Sequence, residues 1–155
     1  MTLTITVHGT PAPQGSKRAF RNQHSGRIQQ VESSKRVAPW RSDVRDAALT
    51  AVDRLDQHTA ALLWEAPLAV RIEFRLPRPK GHWLPANSRR PEPELHPYAP
   101  AHPAGKPDLD KLTRAVLDAL TGIVWRDDSQ VVHIEAWKHY DGRPGADITV
   151  TEATT

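Results

Sequence analysis

The chain has 155 residues, 38% of them hydrophobic, a formal net charge of +3 and no cysteine. That length fits one domain of roughly 100–200 residues spanning 1–155, and five Trp with periodic aliphatic runs exclude wholesale disorder despite a mean hydropathy of −0.58. The missing cysteines exclude disulfides and thiolate-held zinc or iron, which agrees with a cytoplasmic setting, and no run approaches the ~18–20 apolar residues that span a bilayer.

Charge is segregated along the chain: 8 basic residues against 2 acidic in 1–45, 1 against 4 in 46–65, 7 against 3 in 66–107 and 5 against 9 in 108–155. A basic arm and loop beside an acidic last third suit a protein whose cations attract a polyanion while its carboxylates hold cations. A solvated, charge-balanced surface would give the same counts.

Leu3, Ile5 and Val7 alternate with Thr2, Thr4 and Thr6, which predicts a half-buried strand ending at Gly9 and Pro11-Ala12-Pro13. The following stretch, Gln14 to Arg21, is small, basic and irregular, an arm with room for a short hairpin before Val31. Trp40, Val44, Ala47, Ala48, Ala51, Val52 and Leu55 recur at spacings of three and four, predicting a helix over 39–56. After a short polar break, Leu68, Val70, Ile72 and Phe74 alternate with charged residues in a second strand. Residues 76–107 hold nine of the fourteen prolines, which remove backbone donors and predict a long loop. Leu112, Ala115, Val116, Ala119 and Leu120 form one apolar stripe of a helix that stops at Gly122, with Asp110 at its N-cap position. Residues 131–138 and 146–150 read as strands joined by a hairpin turn over 140–145. This order predicts an α+β fold, a mixed β-sheet with two main helices packed on one face.

The chemistry concentrates in the last third. Asp108 and Asp110 flank Leu109, a separation that on extended chain entering a helix puts both carboxylates on one side and Leu109 toward the core. Two close carboxylates repel unless a hard cation such as Mg²⁺ or Mn²⁺ lies between them. A second pair, Asp127-Asp128, stands at the head of the next strand and could meet the first. Taken singly, each of these residues also reads as a cap, a turn residue or a solvated charge. Asp110, Arg114 and Asp118 at i, i+4 and i+8 are either exposed helix ion pairs or a stripe that aims Arg114 at a phosphoryl group beside the acidic site. Lys111 is a weaker phosphate contact. His133 and His139 share a strand face but lie too far apart to share an ion.

The run Lys106-Pro107-Asp108-Leu109-Asp110-Lys111-Leu112-Thr113-Arg114-Ala115-Val116-Leu117-Asp118-Ala119-Leu120, followed by Val124-Trp125-Arg126-Asp127-Asp128-Ser129-Gln130-Val131-Val132, closely resembles the RusA family of Holliday junction resolvases. These are small homodimeric endonucleases frequent in phages and prophages. The order and gaps of the D-L-D-[NK]-L…[KR]-A…D-A-L…D-D-x-Q-V pattern are kept without insertion. The resemblance implies a RusA-like fold and paired Mg²⁺-dependent cuts in two DNA strands of like polarity at a four-way junction, by a homodimer. It places Asp108, Asp110 and Asp128 on the family's metal-binding carboxylates and Arg114 where the Escherichia coli type has an essential lysine. Asp127 and Asp118 fall on the two remaining acidic positions. Arg for Lys keeps the charge and changes the geometry, which suits a phosphate clamp better than a deprotonated amine. The Pro-x-Pro-Gln-Gly-Ser-Lys-Arg arm is of a kind seen in phage members, while 76–105 is longer than in the shortest members. For DNA contacts outside the centre, the basic residues Lys17, Arg18, Arg21, Arg89 and Arg90 are candidates alongside Lys111. Two rival functions use the same residues: another Mg²⁺-dependent structure-specific nuclease, and a non-catalytic DNA-binding protein with a structural acidic cluster.

Overall fold

The structure of the protein, a computed structural model, describes residues 1–15, 18–21, 23–31 and 35–154, with the backbone alone at 18–21 and 28–31. In chain order the elements are β1 (Thr2–His8), β2 (Arg18–Arg21), β3 (Ile28–Val31), α1 (Val37–Val52), α2 (Gln57–Glu65) and β4 (Leu68–Leu76), then β5 (Trp83–Leu84), β6 (Glu94–Leu95), α3 (Leu109–Leu120), β7 (Val131–Tyr140) and β8 (Gly145–Glu152). Four strands make one mixed sheet in the order β1-β8-β4-β7, antiparallel except for the parallel pair of β4 with β7. Small antiparallel ribbons, β2-β3 and β5-β6, stand apart from it. This is the expected α+β arrangement of helices and a mixed sheet.

Alternation selects the inner face of the sheet. Leu3, Ile5 and Val7 of β1, Val70, Ile72 and Phe74 of β4, and Ala146, Ile148 and Val150 of β8 are buried. Against them lie Trp40, Val44 and Ala48 of α1 and the stripe of Leu112, Ala115, Val116, Ala119 and Leu120 of α3. Trp125, fully buried after α3, donates from Nε1 to Thr121 Oγ1 at 3.1 Å, which satisfies the indole inside the core. Gly122, at φ +81, makes the turn that sends the chain there.

Three expectations need correction. The helix over 39–56 ends at Val52, and the supposed polar break holds a separate helix, α2. Asp56 starts it, its carboxylate accepting from Thr59 N–H at 3.0 Å and from the Thr59 hydroxyl at 2.7 Å. Residues 141–144 do not close a hairpin, because β4 lies between β7 and β8 and pairs with both. The alternate residues of β4 from Leu68 to Leu76 are all buried, and the strand occupies an inner position of the sheet. Four residues reach roughly 13 Å and two strand spacings need about 10 Å, so the connection can cross over the end of β4. It is held there by Asp141 N–H to Leu76 O at 3.0 Å and Gly9 N–H to Pro144 O at 3.2 Å. Finally, the N-cap of α3 is Asp108, and Asp110 lies in its first turn.

The long proline-rich stretch is tied down rather than loose. Arg78 donates to Pro100 O at 2.8 Å and lies 4.4 Å from the Tyr140 ring centroid, while His82 meets the same ring edge-on at 5.4 Å. Lys138 of β7 donates to Gly105 O at 2.7 Å and Pro107 O at 2.8 Å, fixing the segment that enters α3.

Candidate active site

The groove along the outer side of α3 collects the acidic motif. Its volume is about 700 Å³; Asp110, Arg114 and Asp118 come from successive turns of α3, and Asp128 comes from the short 3-10 turn before β7. Leu109 and Leu117 of the helix and Ile134 and Ala136 of the edge strand β7 form its apolar part. The parallel return of β7 beside β4 brings the head of that strand back to α3, which spacing alone could not show.

Within the groove Arg114 is exposed, and among the described residues it makes no ion pair within 4.0 Å. The reading of Asp110, Arg114 and Asp118 as mutual helix ion pairs therefore fails, and the guanidinium is left for an incoming anion. Asp110 Oδ2 lies 3.1 Å from Lys111 Nζ. That hydrogen bond is the main reason the Asp110 carboxyl is held below the usual carboxylate range, with the Lys111 charge adding to it.

Asp108 departs from the expectation that it shares one side with Asp110. At the N-cap its backbone is extended (φ −70°, ψ 136°) and its side chain makes no capping bond; it lines a second, proline-walled cavity. The chain has already turned into the helix at Leu109, where each residue advances about 100° around the axis, so residues two apart diverge. Leu109 lines the groove and is half-buried. Because an N-cap carboxylate normally accepts from the first turn of its helix, the free Asp108 side chain is available for another partner.

Asp127 and Asp128 divide their work. Asp127 accepts from Ser129 N–H at 2.9 Å and closes a capping box with Gln130, and its carboxyl is lowered first by its side-chain hydrogen bond to Ser129 and next by that backbone bond. Asp128, next to it, is exposed and faces the groove. Gln130 is the positioning residue that sequence reasoning missed. Its Oε1 accepts from Arg126 N–H at 2.9 Å and Asp127 N–H at 3.1 Å, while Nε2 donates to Ala66 O at 3.0 Å and Leu63 O at 3.4 Å. One side chain thus fastens the acidic turn to the end of α2. A carboxamide three residues after a possible cap was the available sequence signal.

The basic candidates separate similarly. Lys17 and the side chains of Arg18 and Arg21 lie outside the described residues. Arg90 is engaged within the loop, donating to Pro85 O at 2.8 Å and pairing with Glu94 at 3.4 Å, whereas Arg89 is exposed. Lys111 sits between the two cavities, and Arg36 and Lys106, not singled out in the sequence, join it at the proline-walled one.

Among the described residues, no three His, Cys, Asp or Glu side chains are gathered into a ready metal cage. The donors in the groove are nevertheless hard oxygens without sulfur. Mg²⁺ commonly takes one or two protein carboxylates and completes its shell with water and substrate phosphate, so Asp110 and Asp128 fit that ion without a closed cage.

The groove thus joins three carboxylates and one arginine that, among the described residues, has no ion-pair partner within 4.0 Å. The family described as Endodeoxyribonuclease RusA matches residues 8–151, nearly the whole chain. The chain belongs to this family of Holliday junction endodeoxyribonucleases, and it is an enzyme of DNA recombination. It is also 26% identical over 152 residues to YqaN, an uncharacterized protein of Bacillus subtilis (strain 168), covering 98% of this chain and 97% of that one. No helix among the described residues is long and apolar enough to cross a membrane.

Proposed function

We propose that the protein is a Mg²⁺-dependent resolvase that acts as a cytoplasmic homodimer on four-way junction DNA, making paired cuts in two strands of like polarity, in phage or prophage recombination. The observation that carries this reading is the joining of Asp110, Arg114, Asp118 and Asp128 in one groove within a RusA-family chain. Asp110 and Asp128, with Asp108 at the mouth of α3, would hold the ion; Mn²⁺ has the same oxygen preference. When bound, a divalent ion activates water and offsets charge at phosphorus.

The chain's own residues do the rest. Arg114 holds a non-bridging phosphate oxygen of the scissile group and stabilises the charge that grows as water bonds to phosphorus and the P–O bond to the departing sugar oxygen breaks. Leu109, Ile134 and Ala136 present an apolar wall beside that phosphate. The dimer draws support from the edge position of β7, on which Val132, Ile134 and Trp137 are exposed, and two sites related by a dyad suit two symmetric cuts. The test is a panel of four-way, flap, duplex and single-stranded DNA incubated with and without Mg²⁺. Paired nicks in the four-way substrate with Mg²⁺ are expected. Cutting of flaps or single strands in preference to junctions would assign the other structure-specific activity, and binding without cutting would make the acidic groove structural.

A further inference from the structure

Beside the acidic groove, sharing the N-terminus of α3 with it, lies a cavity of about 570 Å³, of whose lining the phosphodiester chemistry uses Asp108 alone. Five separate segments form it: the arm after β1, Arg36 at the start of α1, the end of β4, the stretch leading into α3, and Tyr140 at the end of β7. Pro11, Pro13, Pro77, Pro103 and Pro107 supply walls without N–H groups, and the Tyr140 ring supplies an aromatic surface. Each wall is fastened. Gln14 N–H donates to Lys111 O at 3.0 Å, Lys138 holds the carbonyls of Gly105 and Pro107, and Arg78 and His82 fix the Tyr140 ring. Three cations, Arg36, Lys106 and Lys111, line the cavity beside the carboxylate of Asp108, and Lys111 also reaches Asp110 of the groove at 3.1 Å.

We infer that this cavity receives one unstacked nucleobase from the DNA strand being cut, resting on the Tyr140 ring, with the adjoining phosphates on Lys106, Lys111 and Arg36. A flat apolar ligand joined to an anionic chain matches an apolar, aromatic-bearing interior with a cationic surround. The position matches as well, because Asp108 and Lys111 border both this cavity and the turn of α3 that carries Asp110, so a base held here belongs to a nucleotide neighbouring the scissile phosphate. An open four-way junction, whose bases at the crossover are the least stacked, yields such a base at little cost. The site deepens the resolvase reading and rests on it.

The experiment places 5-iodouracil at each nucleotide flanking the cut position of a four-way junction, and separately in a single-stranded oligonucleotide, and maps the photocrosslink formed without divalent ion. A crosslink to Tyr140 from one flanking position is expected. Thr10→Trp, which puts an indole at the cavity wall from an exposed position, should abolish it and weaken junction binding about tenfold, the scale of one base-aromatic stack. Tyr140→Leu should lose the crosslink, with circular dichroism showing the fold retained. A bound junction whose crosslinks map elsewhere, or whose affinity is unchanged in both folded variants, overturns the inference. If the protein cuts no junction, the resolvase reading fails; a Tyr140 crosslink from the single strand would then still show the base site, and its absence would remove that too.

Discussion

Asp110 and Asp127 are both held below the ordinary carboxylate range, one by a neighbouring lysine and the other by the turn it caps. The distinction predicts opposite behaviour on substitution. Asp110→Asn and Asp128→Asn should each abolish cleavage while junction binding holds or strengthens, since a ligand is removed and phosphate repulsion falls. The same outcome is expected for Asp108→Asn. Asp127→Asn, which can keep accepting from Ser129 N–H, should retain cleavage; the check is single-turnover rate beside filter-binding affinity for all four. Lys111→Met removes the hydrogen bond that favours the ionised form of Asp110, so the Asp110 pKa rises toward its ordinary value. The acid limb of the pH profile of kcat/KM should therefore move to higher pH, and an unmoved limb would show that Asp110 does not act in its ionised form. Arg114→Ala should reduce kcat far more than junction affinity, with Arg114→Lys recovering part of the loss, because the cation is aimed at charge that develops only in the reaction.

At the scale of elements, α2 and the acidic turn stand or fall together. Gln130 joins them through four hydrogen bonds, two in each direction. Gln130→Ala should cost about 1–3 kcal/mol, the usual penalty for stranding partly buried partners, and should lower the cleavage rate with the metal-binding carboxylates intact. Chemical denaturation and single-turnover kinetics on the one variant read the two effects. Hydrogen exchange should show protection falling at Ala66 and Asp127 together. The strands show a similar dependence. Arg75 of β4 bonds Val7 O at 3.2 Å and Arg143 O at 3.0 Å and pairs with Asp147, tying β1, β4, β8 and the connection before β8 into one corner. Gly145 lies beneath it, and a Cβ there would overlap Val7 O and the Arg75 guanidinium. Gly145→Ala should open that corner and lower Tm, which differential scanning calorimetry measures.

For the whole molecule, the question is how a chain with an acidic centre binds a polyanion. The answer lies in distribution, since 8 of the 21 basic residues fall in 1–45 and only 5 in 108–155. Neutralising Lys17, Arg18 and Arg21 together should weaken junction binding and make the slope of log K against log [salt] shallower by up to about 0.9 for each phosphate that the arm no longer neutralises. Cleavage at saturating protein should change little. An unaltered salt slope would transfer the backbone-tracking role to Arg89 and to the cations of the proline-walled cavity.

Local pattern determined a large part of this protein. The alternation of Leu3, Ile5 and Val7 and of Val70, Ile72 and Phe74, and the stripe from Leu112 to Leu120, each state a period of two or 3.6 within one segment, so their buried faces were legible without partners. The acidic motif was legible as a candidate for the same reason, being continuous in sequence. What joins segments was not. The insertion of β4 between β7 and β8 is a pairing between distant segments, and a six-residue turn reads alike whether it closes a hairpin or crosses a strand. The short α2 escaped because its apolar run, Ala60 to Trp64, is too brief to declare a period, and its place is fixed by the burial of Leu63, by Asp56 at one end and by Gln130, 64 residues beyond Ala66, at the other. The surroundings of Asp108, Asp127 and Asp128 likewise come from tertiary structure: identical carboxylates differ in which hydrogen bonds the fold offers them, and those donors come from backbone geometry that composition does not carry.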